Sequence, residues 1–181
     1  TGLLYRAVGM KVLRGGGHPE DAAVAEAAAH ALEFSELDDP ELRSDQAGQA
    51  ASQVGAVPGV RAALLDFQRD FASNPPGGAK GSILDGRDIG TAVCPEAEAK
   101  LFITAPLDVR AQRRYKELQS RGHEAIYATV FEDMKKRDER DSGRADAPMA
   151  KADDAYLLDT GDMSISEVVA AALQFIESKT K

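Results

Sequence analysis

The sequence predicts an α/β protein with a parallel sheet, on three observations. Ser82-Ile83-Leu84 is a short apolar run that stops abruptly at Asp85-Gly86-Arg87-Asp88, the pattern of a buried parallel strand feeding a ligand-facing turn. Lys100 to Ala105 reads as a second buried strand, ended by Pro106 and followed by a helix. Ala155 to Thr160 reads as a third strand, and Ser164-Ile165-Ser166-Glu167 is a capping box that opens a last helix, with Ile165, Val168, Val169, Ala172 and Ile176 facing inward. Strand, helix, strand, helix implies right-handed crossovers, which set the strands parallel.

Composition narrows the class. With 181 residues and 43% hydrophobic content, the chain suffices for one core with small inserted subdomains. No apolar run approaches the roughly 20 residues of a membrane span, so no membrane partner is expected. A single cysteine, Cys94, excludes an internal disulfide framework and fits a reducing, cytoplasmic compartment. The net charge of −8 argues against a nucleic-acid surface. Basic residues nevertheless cluster in 110–121 and 135–144, which suits a small anionic ligand in a pocket. His18 and His30 lack partners at metal-ligand spacing, so no protein-held metal is expected.

In chain order, Leu3, Leu4, Ala7, Val8 and Val12 have helical spacing, which puts Tyr5 and Arg6 on an early turn. The absence of an initiator methionine and of a preceding strand reads as an excised start. Gly15-Gly16-Gly17 breaks the chain, and Pro19-Glu20-Asp21 starts an Ala-rich helix to about Ala31. Leu32 to Leu37 reads as a short extended piece before a polar stretch, Asp38 to Gln49. Residues 48–56 are small, suited to a ligand lying close to backbone. Pro58 opens a helix whose Val60, Leu64, Phe67 and Phe71 form an apolar stripe. Arg61 falls in its first turn, off that stripe, where the helix dipole offers a cation nothing; a polar or anionic partner and plain solvation are both open.

Residues 74–82 form a linker whose Gly and Lys resemble a phosphate loop, but the spacing is not G-x-x-x-x-G-K-[ST] and it precedes a strand. In the turn that follows, Arg87 offers a planar fork to phosphate, while Asp85 and Asp88 accept hydrogen bonds or hold Arg87. A local surface pair is the plainer alternative. The helix after Pro106 carries Arg110, Arg113 and Arg114: a solvated face, or a charge clamp beside a polyphosphate. After a polar break at 119–124, a helix from Tyr127 leads into Arg137, Asp141 and Arg144, which share one face if the helix continues that far. Two guanidiniums flanking a carboxylate suit a sugar-phosphate; a solvated charge ladder is the alternative.

Four motifs in order resemble the bacterial cytidylate kinases: Thr-Gly-Leu-Leu-Tyr-Arg at 1–6, Ala-Ser-Gln-Val-Gly-Ala at 51–56 with Pro58 and Arg61, Asp-Gly-Arg-Asp-Ile-Gly-Thr-Ala-Val at 85–93, and Arg-Asp-Glu-Arg-Asp-Ser-Gly-Arg at 137–144. The resemblance runs through essentially the whole chain. It implies a three-layer P-loop kinase-like fold with a central parallel sheet, all 181 residues forming one kinase domain, a monophosphate-binding insert at about 9–60 and a lid at about 113–130. It implies transfer of the ATP γ-phosphate to CMP or dCMP, with Mg2+ held by the ATP phosphates, by a monomer.

By the same resemblance, Ser52, Arg61 and Asp88 read the pyrimidine. Arg6, Arg87 and Arg144 bind phosphate, and Arg137 and Asp141 lie near sugar and phosphate. Asp85 lines the monophosphate site and is the candidate to orient magnesium or its waters. Arg110, Arg113 and Arg114 fall where the lid helix begins and would act on ATP phosphates; Arg87, Arg137 and Arg144 would take the catalytic role on the transferring group.

The sequence departs from that pattern twice. Glu33 to Gln49 is too short for the additional hairpin of longer members. The resemblance also implies a strand and phosphate loop ~30 residues upstream, about one βα unit, so this stretch alone is expected to turn over little. Two alternatives stay open: a kinase for another acceptor such as UMP, AMP or shikimate, which would lack the Ser52, Arg61, Asp88 set, and a non-catalytic fragment that binds CMP.

Overall fold

Helix α1 (Gly2–Arg14) forms where Leu4, Ala7, Val8 and Val12 recur on one face, and all four are buried. The structure, a computed structural model, describes residues 1–180 and divides into two units: residues 1–94 with 140–149, and residues 95–139 with 150 onward.

The first unit is helical. Helix α2 (Ala22–His30) starts at Asp21, whose side chain accepts from the Ala23 and Val24 amides at 3.1 and 3.2 Å. Helix α3 (Asp45–Val54) starts at Ser44, which accepts from the Ala47 amide at 3.1 Å. Helix α4 (Pro58–Ser73) has proline at its first position, where the missing N–H costs nothing. Leu4, Val8, Val12, Ala25, Val54, Val60 and Leu64 form one core. The α4 stripe fades along its length: Phe67 packs against that core half-buried, and Phe71 is exposed. Gly9 lets α1 and α3 approach closely, since a Cβ there would stand 2.7 Å from that of Ala50.

Two expectations in this unit are corrected. The piece at 32–37 is not extended: Phe34–Asp38 is a 3-10 turn, because the Glu36 carboxylate accepts from the Glu33 amide at 2.9 Å and closes a capping box. A second such turn, Pro40–Arg43, follows. Ser82-Ile83-Leu84 is not a buried strand, and Ile83 is 92% exposed. An extended segment becomes a strand only against a ladder partner, and among the described residues it has none. The chain then makes a single π-helical turn, Ile89–Val93, with the Ile89 carbonyl accepting from the Cys94 amide at 2.7 Å.

In the second unit, strands β1 (Leu101–Thr104) and β2 (Tyr156–Asp159) pair in parallel, Leu101 opposite Tyr156 through Thr104 opposite Asp159. The crossover contains α5 (Leu107–Ser120) and α6 (Tyr127–Ser142), whose last three residues belong to the first unit. Helix α7 (Ile165–Lys179) carries the expected Ser164–Glu167 capping box and packs on β2 through Phe175, which stacks on Tyr156 at 4.8 Å.

The expected parallel sheet is present, but the strands are less buried than their composition suggests. Leu158 is buried, while Ile103 and Leu157 are more than half exposed. Successive side chains face opposite sides, so α7 against the Tyr156 face leaves Leu157 uncovered. For the same reason the inward stripe of α7 is narrower than expected: Val168, Ala172 and Ile176 are half-buried, Ile165 and Val169 exposed.

Candidate functional site

Two buried carboxylates of the first unit gather three of the arginines singled out by sequence, Arg61, Arg87 and Arg144. Ser52, on the last turn of α3, is buried and donates its hydroxyl to Asp141 Oδ1 at 2.8 Å. Arg87, on the turn after residue 84, donates Nε to Asp141 Oδ2 at 3.2 Å. Arg144 donates Nη2 to Asp141 Oδ1. Asp141 is only 1% exposed, and a carboxylate that deep requires such donors.

The second carboxylate is Asp88, 6% exposed, which accepts from Nη2 of Arg61. Arg61 sits in the first turn of α4 and is itself 8% exposed. Its Nε faces Asp146 Oδ2 at 3.5 Å. The partner that the helix dipole does not supply is therefore a pair of aspartates.

Donor capacity remains after these bonds. The Nε of Arg144 is buried without a hydrogen bond and that of Arg61 has only Asp146 at 3.5 Å, so both guanidiniums keep donors for a ligand. Burial pushes the Arg144 guanidinium below its ordinary value, Asp141 opposes that, and Arg61 adds to it by like charge. Two guanidiniums that repel each other make an anion between them favourable.

Sequence reasoning missed three residues here. Tyr5 belongs to the motif at 1–6 and to an early turn but has no role assigned by sequence; burial pushes its phenol above the ordinary value, opposed by Arg61 and a hydrogen bond to Gln68, with Asp88 and Arg144 also in electrostatic reach. Gln68, 2% exposed, donates to the Leu64 carbonyl at 3.0 Å. Its spacing of seven from Arg61 was the available signal, since i and i+7 share a helix face. Asp146 had no signal, because its position depends on how the chain turns after α6.

Other predicted residues have other surroundings. Helix α6 ends at Ser142, so Arg144 lies beyond it and shares no helix face with Arg137 and Asp141; it reaches Asp141 by turning back. Arg6 donates Nη1 to the carbonyls of Leu42 and Ser44 at 2.7 and 3.0 Å. Asp85 is exposed, and its carbonyl accepts from the Thr1 hydroxyl at 2.6 Å. Arg137 lies among the residues of the second unit.

The three clustered arginines of α5 bind within the second unit. Arg110 donates to the Ala105 carbonyl at 2.9 Å and to Asp138 at 2.6 Å. Arg113 donates to the hydroxyl and carbonyl of Thr160, and Arg114 to Glu117 at 2.8 Å. Asp108, Gln112, Arg113, Lys116 and Tyr127 line an open groove of about 430 Å³ in this unit.

Comparison with known proteins matches residues 1–178 to the family model described as cytidylate kinase. A protein of Paramagnetospirillum magneticum named cytidylate kinase is 60% identical over 99% of this chain and 84% of its own length. Relatives of the same name from Rhodospirillum rubrum and Caulobacter sp. strain K31 are 58% and 52% identical, over 100% and 98% of this chain and 85% and 81% of their own lengths.

Proposed function

Since the chain belongs to the cytidylate kinase family, we propose that the Ser52, Arg61, Arg87, Asp88, Asp141 and Arg144 cluster is the acceptor site of a kinase that phosphorylates CMP or dCMP with ATP. The observation that carries the reading is the buried Arg61–Asp88 pair. Cytosine presents a ring acceptor beside an amino donor; a guanidinium beside a carboxylate is the matching donor and acceptor. Uracil presents the reverse order and leaves both partners unsatisfied, which discriminates more strongly than shape does.

Arg87 and Arg144 hold the acceptor's phosphate, with Arg6 adding charge beside it; Arg137 keeps the phosphate role that the family resemblance gives it. Asp141 fixes two of these guanidiniums and orients toward the sugar hydroxyls. An oxygen of the CMP phosphate attacks the γ-phosphorus of ATP, the bond to the β–γ bridging oxygen breaks, and ADP leaves. No side chain serves as covalent nucleophile; the residues position and neutralise charge.

Among the described residues no cluster of three or more His, Cys, Asp or Glu side chains is spaced to hold an ion. A magnesium would be held by ATP phosphates and water, with Asp85 as an outer partner. When bound, it neutralises charge on the triphosphate. Residues 9–60 are assigned as the monophosphate-binding insert and 113–130 as the lid, with Arg110, Arg113 and Arg114 acting on ATP phosphates when it closes. No helix among the described residues is long and apolar enough to cross a membrane. The free thiol of Cys94 fits a reducing, cytoplasmic setting.

Isothermal titration tests the reading. CMP is expected to bind, UMP and AMP to bind at least tenfold more weakly, and Arg61→Ala to lose CMP binding. Equal binding of all three nucleotides would sink it.

A further inference from the structure

Asp146 is a second carboxylate on Arg61, and its geometry differs from that of Asp88. Asp88 is buried and meets Nη2; Asp146, with its side chain 61% exposed, faces Nε from the solvent side at 3.5 Å. Nε and Nη2 lie on one edge of a guanidinium, so both aspartates hold the same edge and leave Nη1 outside these two contacts.

The segment that carries Asp146 is constrained. The next residue, Ala147, has φ of 43°, a left-handed conformation costly for a residue with a Cβ. Two residues later the Met149 amide donates to the Asp141 carbonyl at 2.9 Å, tying the segment to the end of α6. Strain at Ala147 persists because the surrounding bonds fix the turn, and what the turn presents is Asp146 beside Arg61.

On the acceptor-site reading above, we propose that Asp146 is a positioning residue that sets base preference, holding the Arg61 guanidinium in the orientation that donates to the cytosine ring nitrogen. Without it, Arg61 keeps one anchor, Asp88, and pivots about Nη2. A pivoted guanidinium donates equally well to the exocyclic O4 carbonyl of uracil, so cytosine loses its advantage. The effect is on preference rather than on phosphoryl transfer, because Asp146 touches no reacting atom.

The test is steady-state kinetics of the full-length natural protein with CMP and with UMP, for wild type, Asp146→Asn and Asp146→Glu. Asp146→Asn is expected to raise the CMP KM about fivefold with kcat retained, the size of one exposed ion pair, and to lower the CMP-to-UMP ratio of kcat/KM by about tenfold. Asp146→Glu, which keeps the charge, is expected to restore most of the ratio. An unchanged ratio, or a CMP KM that falls in Asp146→Asn, overturns the role of Asp146 while the acceptor site stands. A wild type without preference for CMP overturns the acceptor site itself.

Discussion

Arg144 turns back from beyond the end of α6 to donate to Asp141, three residues earlier, on the same oxygen that accepts from Ser52. The carboxylate thus bridges a helix end and the last turn of α3. Replacing Asp141 by Asn keeps the shape and removes the charge, leaving Arg144 buried against a neutral group. A destabilisation of about 3–5 kcal/mol is expected, the range for breaking a buried ion pair. Urea unfolding of Asp141→Asn checks it, and a loss under 1 kcal/mol would contradict the central place given to this group.

Arg61 meets two carboxylates along one edge, a task for which the ammonium of lysine lacks the planar fork. Arg61→Lys is expected to weaken CMP binding by more than tenfold while the protein stays folded. Calorimetric titration with circular dichroism on the same sample separates the two effects.

Gly9 lies against Ala50 where α1 crosses α3. Gly9→Ala would gain helix propensity of roughly 1 kcal/mol, but its Cβ would stand 2.7 Å from one carbon and 2.9 Å from the backbone of Ala50. Overpacking of this kind costs about 1–3 kcal/mol, so a net lower melting temperature is expected. A raised one would show that the crossing relaxes freely.

Burial holds the Tyr5 phenol above its ordinary value near 10. The folded state therefore keeps this proton more tightly than the unfolded chain does. Its contribution to stability is complete below the unfolded value, near pH 10, and is lost as pH rises through the higher folded one. Tyr5→Phe removes the loss, so its melting temperature is expected to fall less than that of wild type between about pH 9 and pH 11. Parallel slopes for the two proteins would place Tyr5 in solvent.

Sequence made the arginine-bearing turns legible and left their pairings hidden. Asp88 and Arg61 were both identified, but a helix-first-turn arginine reads alike whether it meets solvent or a buried carboxylate 27 residues away. Helices α1, α4 and α7 declared themselves by apolar spacing and caps, which are local properties. The strand expected at 82–84 failed because pairing is not local: the same three residues are extended backbone without a neighbour. Asp146 stayed invisible because a turn after Ser142, with strain at Ala147, aims it.

The first unit is assembled from segments far apart in the chain. Ser52 and Asp141 are 89 residues distant, which at ribosomal rates of 5–20 residues per second corresponds to about 4 to 18 s of synthesis. Helices α1 to α4 can bury their apolar faces in that interval, and Arg61 can already find Asp88. Ser52 must wait. The nascent chain thus holds a formed hydrophobic core with an unfinished polar network, and recognition of a ligand becomes possible only after the residues that follow α6 have left the ribosome.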